Sequence, residues 1–180
     1  MQVAESEALD AAQIWAISHY DNQHRFTAAD IRELHRRWLG GIYPWAGEYR
    51  AVNMSRAGFL FAAAKHVPRL MQDLERDVLA KETPCAGMDP VRLAAALART
   101  HAELVLVHPF REGNGRCARL LALLMAMQAG LPTLDFWGFA GRGKRRYVAA
   151  IHAAMDRDYA PMQACFTGAI RRASGTFGKR

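Results

Sequence analysis

Apolar residues recur every three to four positions along most of this chain, which is the spacing of a buried helix face. Residues 4–19 bring Ala8, Leu9, Ala12, Trp15 and Ala16 near one side, and Asp21-Asn-Gln23 ends that helix. Thr27 with Asp30 is a capping pair for a second helix that carries Ile31, Leu34, Trp38 and Leu39 and stops at Gly40-Gly41. His35, beside Arg36 and Arg37, reads as a surface or packing residue. Lys65 to Lys81 is amphipathic, with Val67, Leu70, Met71, Leu74, Val78 and Leu79 inward and Pro68 tolerated in the first turn. After the loop Thr83–Gly87, Asp89-Pro90 supplies an N-cap and a first-turn proline for a helix through Leu93, Ala94, Leu97 and Leu104. Two more helices, at about 143–156 and 159–172, finish a mainly α-helical body.

The pattern changes character at His108-Pro-Phe-Arg-Glu-Gly-Asn-Gly-Arg116. A residue before proline is pushed out of the helical region, so the preceding helix ends at His108. Glu112–Gly115 is a turn, and Leu120, Leu121, Leu123, Leu124, Met125 and Met127 then form a buried helix starting near Asn114, a good N-cap, and closing at Gly130 before Leu131-Pro132. Arg116 and Arg119 share one face of its first turn, where the helix dipole disfavours cations. Free N–H groups around Gly113 and Gly115, the dipole and both arginines make a polyphosphate site. Glu112, the acid among these bases, suits a Mg2+ ligand shared with phosphates, and His108, with an ordinary pKa of about 6.5, suits a general base. No Gly-Lys-(Ser/Thr) follows the glycines, which excludes a P-loop. His101 and His108 are also spaced for metal ligation, but the sequence offers no third convergent ligand.

This string resembles the signature of Fic domains, His-Pro-Phe-x-(Asp/Glu)-Gly-Asn-Gly-Arg-x-x-Arg, at every fixed position. The resemblance implies transfer of AMP from ATP to a hydroxyl side chain of another protein. It implies that His108 deprotonates the target Tyr, Thr or Ser, that Phe110 anchors the loop, and that Glu112 holds Mg2+. Gly113, Asn114 and Gly115 would line the anion hole around the α- and β-phosphates, and Arg116 and Arg119 would hold the β- and γ-phosphates. Tyr147 matches in position a tyrosine lining the nucleoside pocket of similar proteins. Kinase members carry Lys-Arg in place of the Gly-Arg of this motif, and phosphocholine transferases carry Ala for its first Gly; neither change is present.

Ile42-Tyr-Pro-Trp-Ala-Gly-Glu-Tyr-Arg50 is similar to the segment leading into the family's β-hairpin flap. Independently, Tyr49–Met54 alternates as a strand, Ser55–Gly58 can turn, and Phe59–Phe61 can return. By resemblance, Asn53, Met54, Ser55, Gly58, Phe59 and Phe61 would dock the target segment along the flap edge.

Composition narrows this picture. At 180 residues and 51% hydrophobic, the chain reads as one domain over residues 1–180: an N-terminal helical segment (1–25), a core (26–172) and a disordered basic tail (173–180). The start lacks a signal-peptide pattern, and no apolar run reaches the roughly 18 residues of a spanning helix, so a cytoplasmic protein, or one delivered as an effector, is expected. Cys85, Cys117 and Cys165 match neither a disulfide framework nor zinc spacing. The net charge of +7 gathers at Arg142, Lys144, Arg145, Arg146, Arg171, Arg172, Lys179 and Arg180 without interleaved aromatics, so nucleic acid is not the expected partner.

Many relatives carry an inhibitory (Ser/Thr)-x-x-x-Glu helix whose glutamate pairs with the second motif arginine. No Ser or Thr here has Glu four residues on; the nearest case is Ser6 with Asp10. Arg119 is therefore expected to have no built-in competitor, with restraint left to a separate antitoxin-like protein, and transfer is expected without efficient reversal. The rival readings are UMP or GMP transfer or a kinase on the same scaffold, and a non-catalytic binding module.

Overall fold

The helices that the apolar spacing predicts form as α1 (Gln2–His19), α2 (Ala28–Leu39), α3 (Val67–Leu74) with its short continuation α4 (Ala80–Glu82), α5 (Pro90–Val107), α6 (Asn114–Gln128), α7 (Lys144–Ala153) and α8 (Ala160–Phe177), in a computed structural model that describes residues 2–56 and 58–177. The starts of α2 and α5 follow from their caps. Thr27 Oγ1 accepts from the Asp30 N–H while the Asp30 carboxylate accepts from the Thr27 N–H. Asp89 Oδ1 accepts from the N–H groups of Val91 and Arg92. Between α3 and α4 the chain makes a π-helical turn, Glu75–Leu79, and Glu75 reaches across to accept from the Ala28 N–H at the start of α2.

α5 and α6 are apolar on nearly every side and therefore have to be wrapped by other helices. α5 packs most extensively on α8 and α6, while α1 lies against α2 and touches α6. The largest buried cluster runs through Leu97, Leu104, Phe110, Leu121, Met125 and Phe166. The loop joining the two central helices, His108–Gly113, thus starts and ends on the most firmly held parts of the molecule. Among the described residues, no helix is long and apolar enough to cross a membrane.

Expectations at the hairpin and at the C-terminus need correction. Tyr49–Met54 is not a strand; the hairpin is confined to β1 (Ser55–Arg56) and β2 (Phe59–Leu60), antiparallel with Ser55 opposite Leu60 and Arg56 opposite Phe59. The chain before β1 spends its hydrogen bonds elsewhere: the Arg50 N–H on Pro109 O, the Val52 carbonyl on the Arg50 guanidinium, and the Asn53 side chain on the Ala64 N–H. Among the described residues, only the Phe61 N–H, donating to Met54 O at 3.2 Å, extends the ladder. Ser55, expected in the turn, is in a strand; Gly58 holds the turn at φ 81°, a conformation that favours glycine, and Ala57 lies outside the described residues. The second correction is at the C-terminus. α8 continues to Phe177, because the apolar series Phe166, Ala169, Ile170, Ala173 carries its buried face past residue 172. The rest of the expected tail, residues 178–180, lies outside the described residues.

Candidate active site

His108 closes α5 in the left-handed region (φ 51°, ψ 59°), where a non-glycine residue is held only by its surroundings. Its ring is clamped from two sides. Nδ1 lies 3.1 Å from Val105 O, which assigns the ring proton to Nδ1 and leaves the Nε2 lone pair free. Phe61 of the hairpin stacks on the imidazole with centroids 3.6 Å apart. Burial pushes its pKa down to about 4, against the raising effect of the Val105 carbonyl and with further lowering by Arg50 and Arg56. The imidazole is consequently neutral and able to accept a proton at neutral pH.

The loop after it is closed by Asn114, and the expectation that Asn114 caps α6 is corrected here. Gly113, at φ 80°, is the N-cap; Asn114 is the first helical residue. Its amide accepts from the Phe110 N–H and donates to Phe110 O, both at 2.8 Å, so only its backbone N–H remains for an anion. Phe110 is fully buried and stacks 3.8 Å from His35. The first helical hydrogen bond runs from the Cys117 N–H to Gly113 O, leaving the N–H groups of Asn114, Gly115 and Arg116 at the open end of the helix. Glu112 lies at the rim with its side chain 61% exposed, accepting from the Gly113 N–H and 3.5 Å from Arg116 Nη2. Among the described residues no group of three His, Cys, Asp or Glu forms a protein-only metal cage. A Mg2+ ion shared between one carboxylate and phosphate oxygens needs no such cage, and Glu112 fits that use.

The two motif arginines differ sharply. Arg116 is already partnered: Nη1 donates to Glu5 Oε2 of α1 at 2.8 Å, and its guanidinium lies 4.5 Å over the Trp38 ring. Trp38 in turn donates to Glu5 O, and the Tyr43 hydroxyl donates to Glu5 Oε1. Arg116 and Tyr43 together hold the Glu5 carboxyl below the usual carboxylate range. Arg119 has no acidic partner among the described residues and is largely sheltered, which lowers its pKa. A desolvated, uncompensated guanidinium is poised for an anion.

Tyr147, expected in the nucleoside pocket, stands beside Arg119. Its hydroxyl is 2.8 Å from His101 Nε2 and its ring stacks 4.9 Å from Phe139. Burial raises its pKa to about 12 although the Arg119 charge opposes this. His101 Nε2 is thus committed to Tyr147.

In the hairpin, Phe61 reaches His108, Phe59 stacks on His152 of α7, and Asn53 and Met54 hold its base. Ser55 and Arg56 are exposed and present the β1 edge outward.

Sequence reasoning missed Glu5 and Arg50 and saw His35 only as a surface or packing residue. Glu5 continues the buried face of α1 one turn before Leu9 and Ala12, and an acid at an apolar-face position was the available signal. His35 is fully buried, accepting from the Gly47 N–H at Nδ1 and meeting Glu112 O at Nε2 (3.1 Å); burial brings its pKa to about 4. Arg50, also buried, carried no signal beyond its place after the aromatic Tyr49.

A family model described as the Fic/DOC family matches residues 25–126. The protein adenylyltransferase fic-1 of Caenorhabditis briggsae is 37% identical over 139 residues, 77% of this chain and 26% of that protein. The protein adenylyltransferase Fic of Nematostella vectensis is 39% identical over 109 residues, 59% of this chain and 24% of that protein. The chain therefore spans about a quarter of the length of these curated relatives. A Fic-1 fragment from C. elegans superposes with a TM-score of 0.74 at 29% identity, over 97% of this chain and 52% of that one. The BepC effector of Bartonella tribocorum, solved with bound AMPPNP, superposes at 0.74 with 24% identity, over 92% of this chain and 83% of that one.

Proposed function

Because the chain belongs to the Fic/DOC family, we propose that it is a protein adenylyltransferase, moving AMP from ATP to a Tyr, Thr or Ser hydroxyl of a target protein and releasing pyrophosphate. The observation that carries this reading is a neutral imidazole with a free Nε2, one loop before a helix start that offers unsatisfied N–H groups and the uncompensated Arg119.

The roles follow from what each group is free to do. His108 Nε2 takes the hydroxyl proton as that oxygen bonds to the α-phosphorus. The bond from the α-phosphorus to its bridging oxygen breaks, and the electron pair leaves with pyrophosphate. The N–H groups of Asn114, Gly115 and Arg116, with Gly113 giving them room, hold the phosphate oxygens as charge shifts onto them. Arg119 binds the terminal phosphates, and Arg116, with one face taken by Glu5, contributes its remaining N–H groups. Glu112 would hold Mg2+, which when bound neutralises phosphate charge. Tyr147 sits beside Arg119 as a wall of the nucleotide site, and Phe110 fixes the loop. The target segment would run along the hairpin edge formed by Asn53, Met54, Ser55, Gly58, Phe59 and Phe61, bringing its hydroxyl to His108. Positioning and charge stabilisation supply most of the acceleration in such a transfer.

We further read residues 26–172 as the catalytic core of one cytoplasmic domain, restrained by a separate antitoxin-like protein; Arg119 standing without an acid supports this. The decisive assay uses ATP labelled separately at the α- and γ-phosphates, with a lysate as target source. Label from the α-phosphate alone is expected, falling about 10²–10⁴-fold in His108→Ala while ATP affinity stays near that of the parent. Label from the γ-phosphate would make the protein a kinase, and loss of nucleotide binding in His108→Ala would remove its role as base. Labelled UTP and GTP in the same format separate the other nucleotidyl transfers.

A further inference from the structure

Arg50 is 2% exposed and has no carboxylate partner among the described residues. A buried guanidinium is tolerated only if other groups replace its hydration. Here the replacement is entirely backbone. Nε donates to His108 O at 2.6 Å, Nη1 to Val52 O at 2.8 Å, and Nη2 to Ala62 O and, at 3.3 Å, to Val107 O. The Arg50 N–H adds a bond to Pro109 O. Val107 and His108 are the last residues of α5 and its cap, where the carbonyls lack helical partners and the dipole favours a cation. Val52 and Ala62 are the two roots of the hairpin, one before β1 and one after β2.

One side chain therefore ties both legs of the hairpin to the residue that carries the free imidazole. The circuit closes through the next residue along: Phe61, bonded to Ala62, stacks on the His108 ring. We propose that Arg50 is the positioning residue that holds the hairpin and His108 in one geometry, so that the docked target hydroxyl and the base that deprotonates it stay in register. This rests on the adenylyltransferase reading for its purpose, but its physical content can be measured without catalysis. Arginine is specific here, because three nitrogens in a rigid fork reach four carbonyls, whereas a lysine ammonium is a single point on a flexible stem.

The charged groups facing His108 are Arg50, Arg56 and Glu112, so loss of the Arg50 charge removes one of two cations opposing protonation. Release of the hairpin would also uncover the ring. Both effects move the His108 titration midpoint upward, from about 4 toward the ordinary 6.5.

The test compares the full chain with Arg50→Met, Arg50→Lys and Phe61→Leu, using amide hydrogen exchange and NMR titration of the imidazoles. In Arg50→Met, amides of residues 53–63 are expected to exchange about tenfold faster relative to those of α6 and α8, with a raised His108 midpoint. Arg50→Lys should loosen the hairpin similarly while keeping more of the low midpoint. Phe61→Leu leaves all the Arg50 bonds and should raise the midpoint without freeing the hairpin root. In the transfer assay, Arg50→Lys should raise the KM for target and lower kcat while ATP affinity is unchanged.

Exchange that accelerates uniformly across α6, α8 and the hairpin in the Arg50 variants would overturn the proposal and leave Arg50 as a stability residue. Loosening in Phe61→Leu as large as in Arg50→Lys would assign the positioning to the ring stack. Should Arg50→Met not fold, Arg50→Lys and Phe61→Leu decide between these outcomes. A parent protein that transfers no α-phosphate label would remove the catalytic reading but leave the exchange and titration results standing.

Discussion

Gly113 and Gly115 occupy neighbouring places in the anion loop, yet the structure asks different things of them. At Gly113 the backbone is left-handed, and an added Cβ would lie 2.4 Å from Trp38 Cζ3. That indole cannot retreat freely, since it donates to Glu5 O and underlies the Arg116 guanidinium. Gly113→Ala is expected to cost about 2–4 kcal/mol from backbone strain and overpacking together, and to weaken ATP binding. At Gly115 a Cβ would meet only Arg119 Nη1 at 3.5 Å, an ordinary contact, within a helical turn that alanine favours. Gly115→Ala should fold at least as stably and act on ATP affinity alone. Denaturant midpoints and ATP titrations of both variants check this, and equal stability losses would show that the Trp38 contact does not govern the site.

Between elements, the contact with the clearest functional consequence is that of α1 with α6. Glu5 reaches Arg116, the first motif arginine, whereas the missing inhibitory pattern concerned a glutamate on the second. This contact leaves Arg119 open. Glu5→Gln is therefore expected to change ATP affinity modestly and to raise transfer by the purified chain little, because the pair orients Arg116 without blocking the terminal phosphates. A large rise in transfer on Glu5→Gln, or on removal of residues 1–20, would show instead that α1 is an inhibitory element.

For the whole molecule, acid is the informative stress. His35 and His101 are buried and His108 is half-buried, and desolvation lowers their pKa values from 6.5 to about 4, 3 and 4. Between those values and 6.5 the unfolded chain binds more protons than the folded one, so stability rises with pH through that window and is fully present above it. Melting temperatures are expected to hold steady above 6.5 and fall progressively as pH drops toward 4, with a shallower fall in His35→Gln measured against its own neutral-pH value. An acid profile unchanged in that variant would mean that carboxylates held below their usual range, such as Glu5 beside Arg116, dominate instead.

The amino-acid sequence alone determined most of the helices, the caps of α2 and α5 and the break at His108 between α5 and its loop, because proline, glycine, capping side chains and apolar period act within a turn or two of themselves. It misplaced the strand before the hairpin, where the Arg50 N–H is spent on the distant Pro109 O, the cap of α6 by one residue, and the end of α8, where a continuing buried face overrode local signals. Only the tertiary structure decided which groups serve the loop. Arg50 meets His108 across 58 residues, His35 meets Glu112 across 77, and Glu5 meets Arg116 across 111. Such pairings are set by how helices dock, and docking is driven by apolar area that carries no address for the polar side chain it encloses.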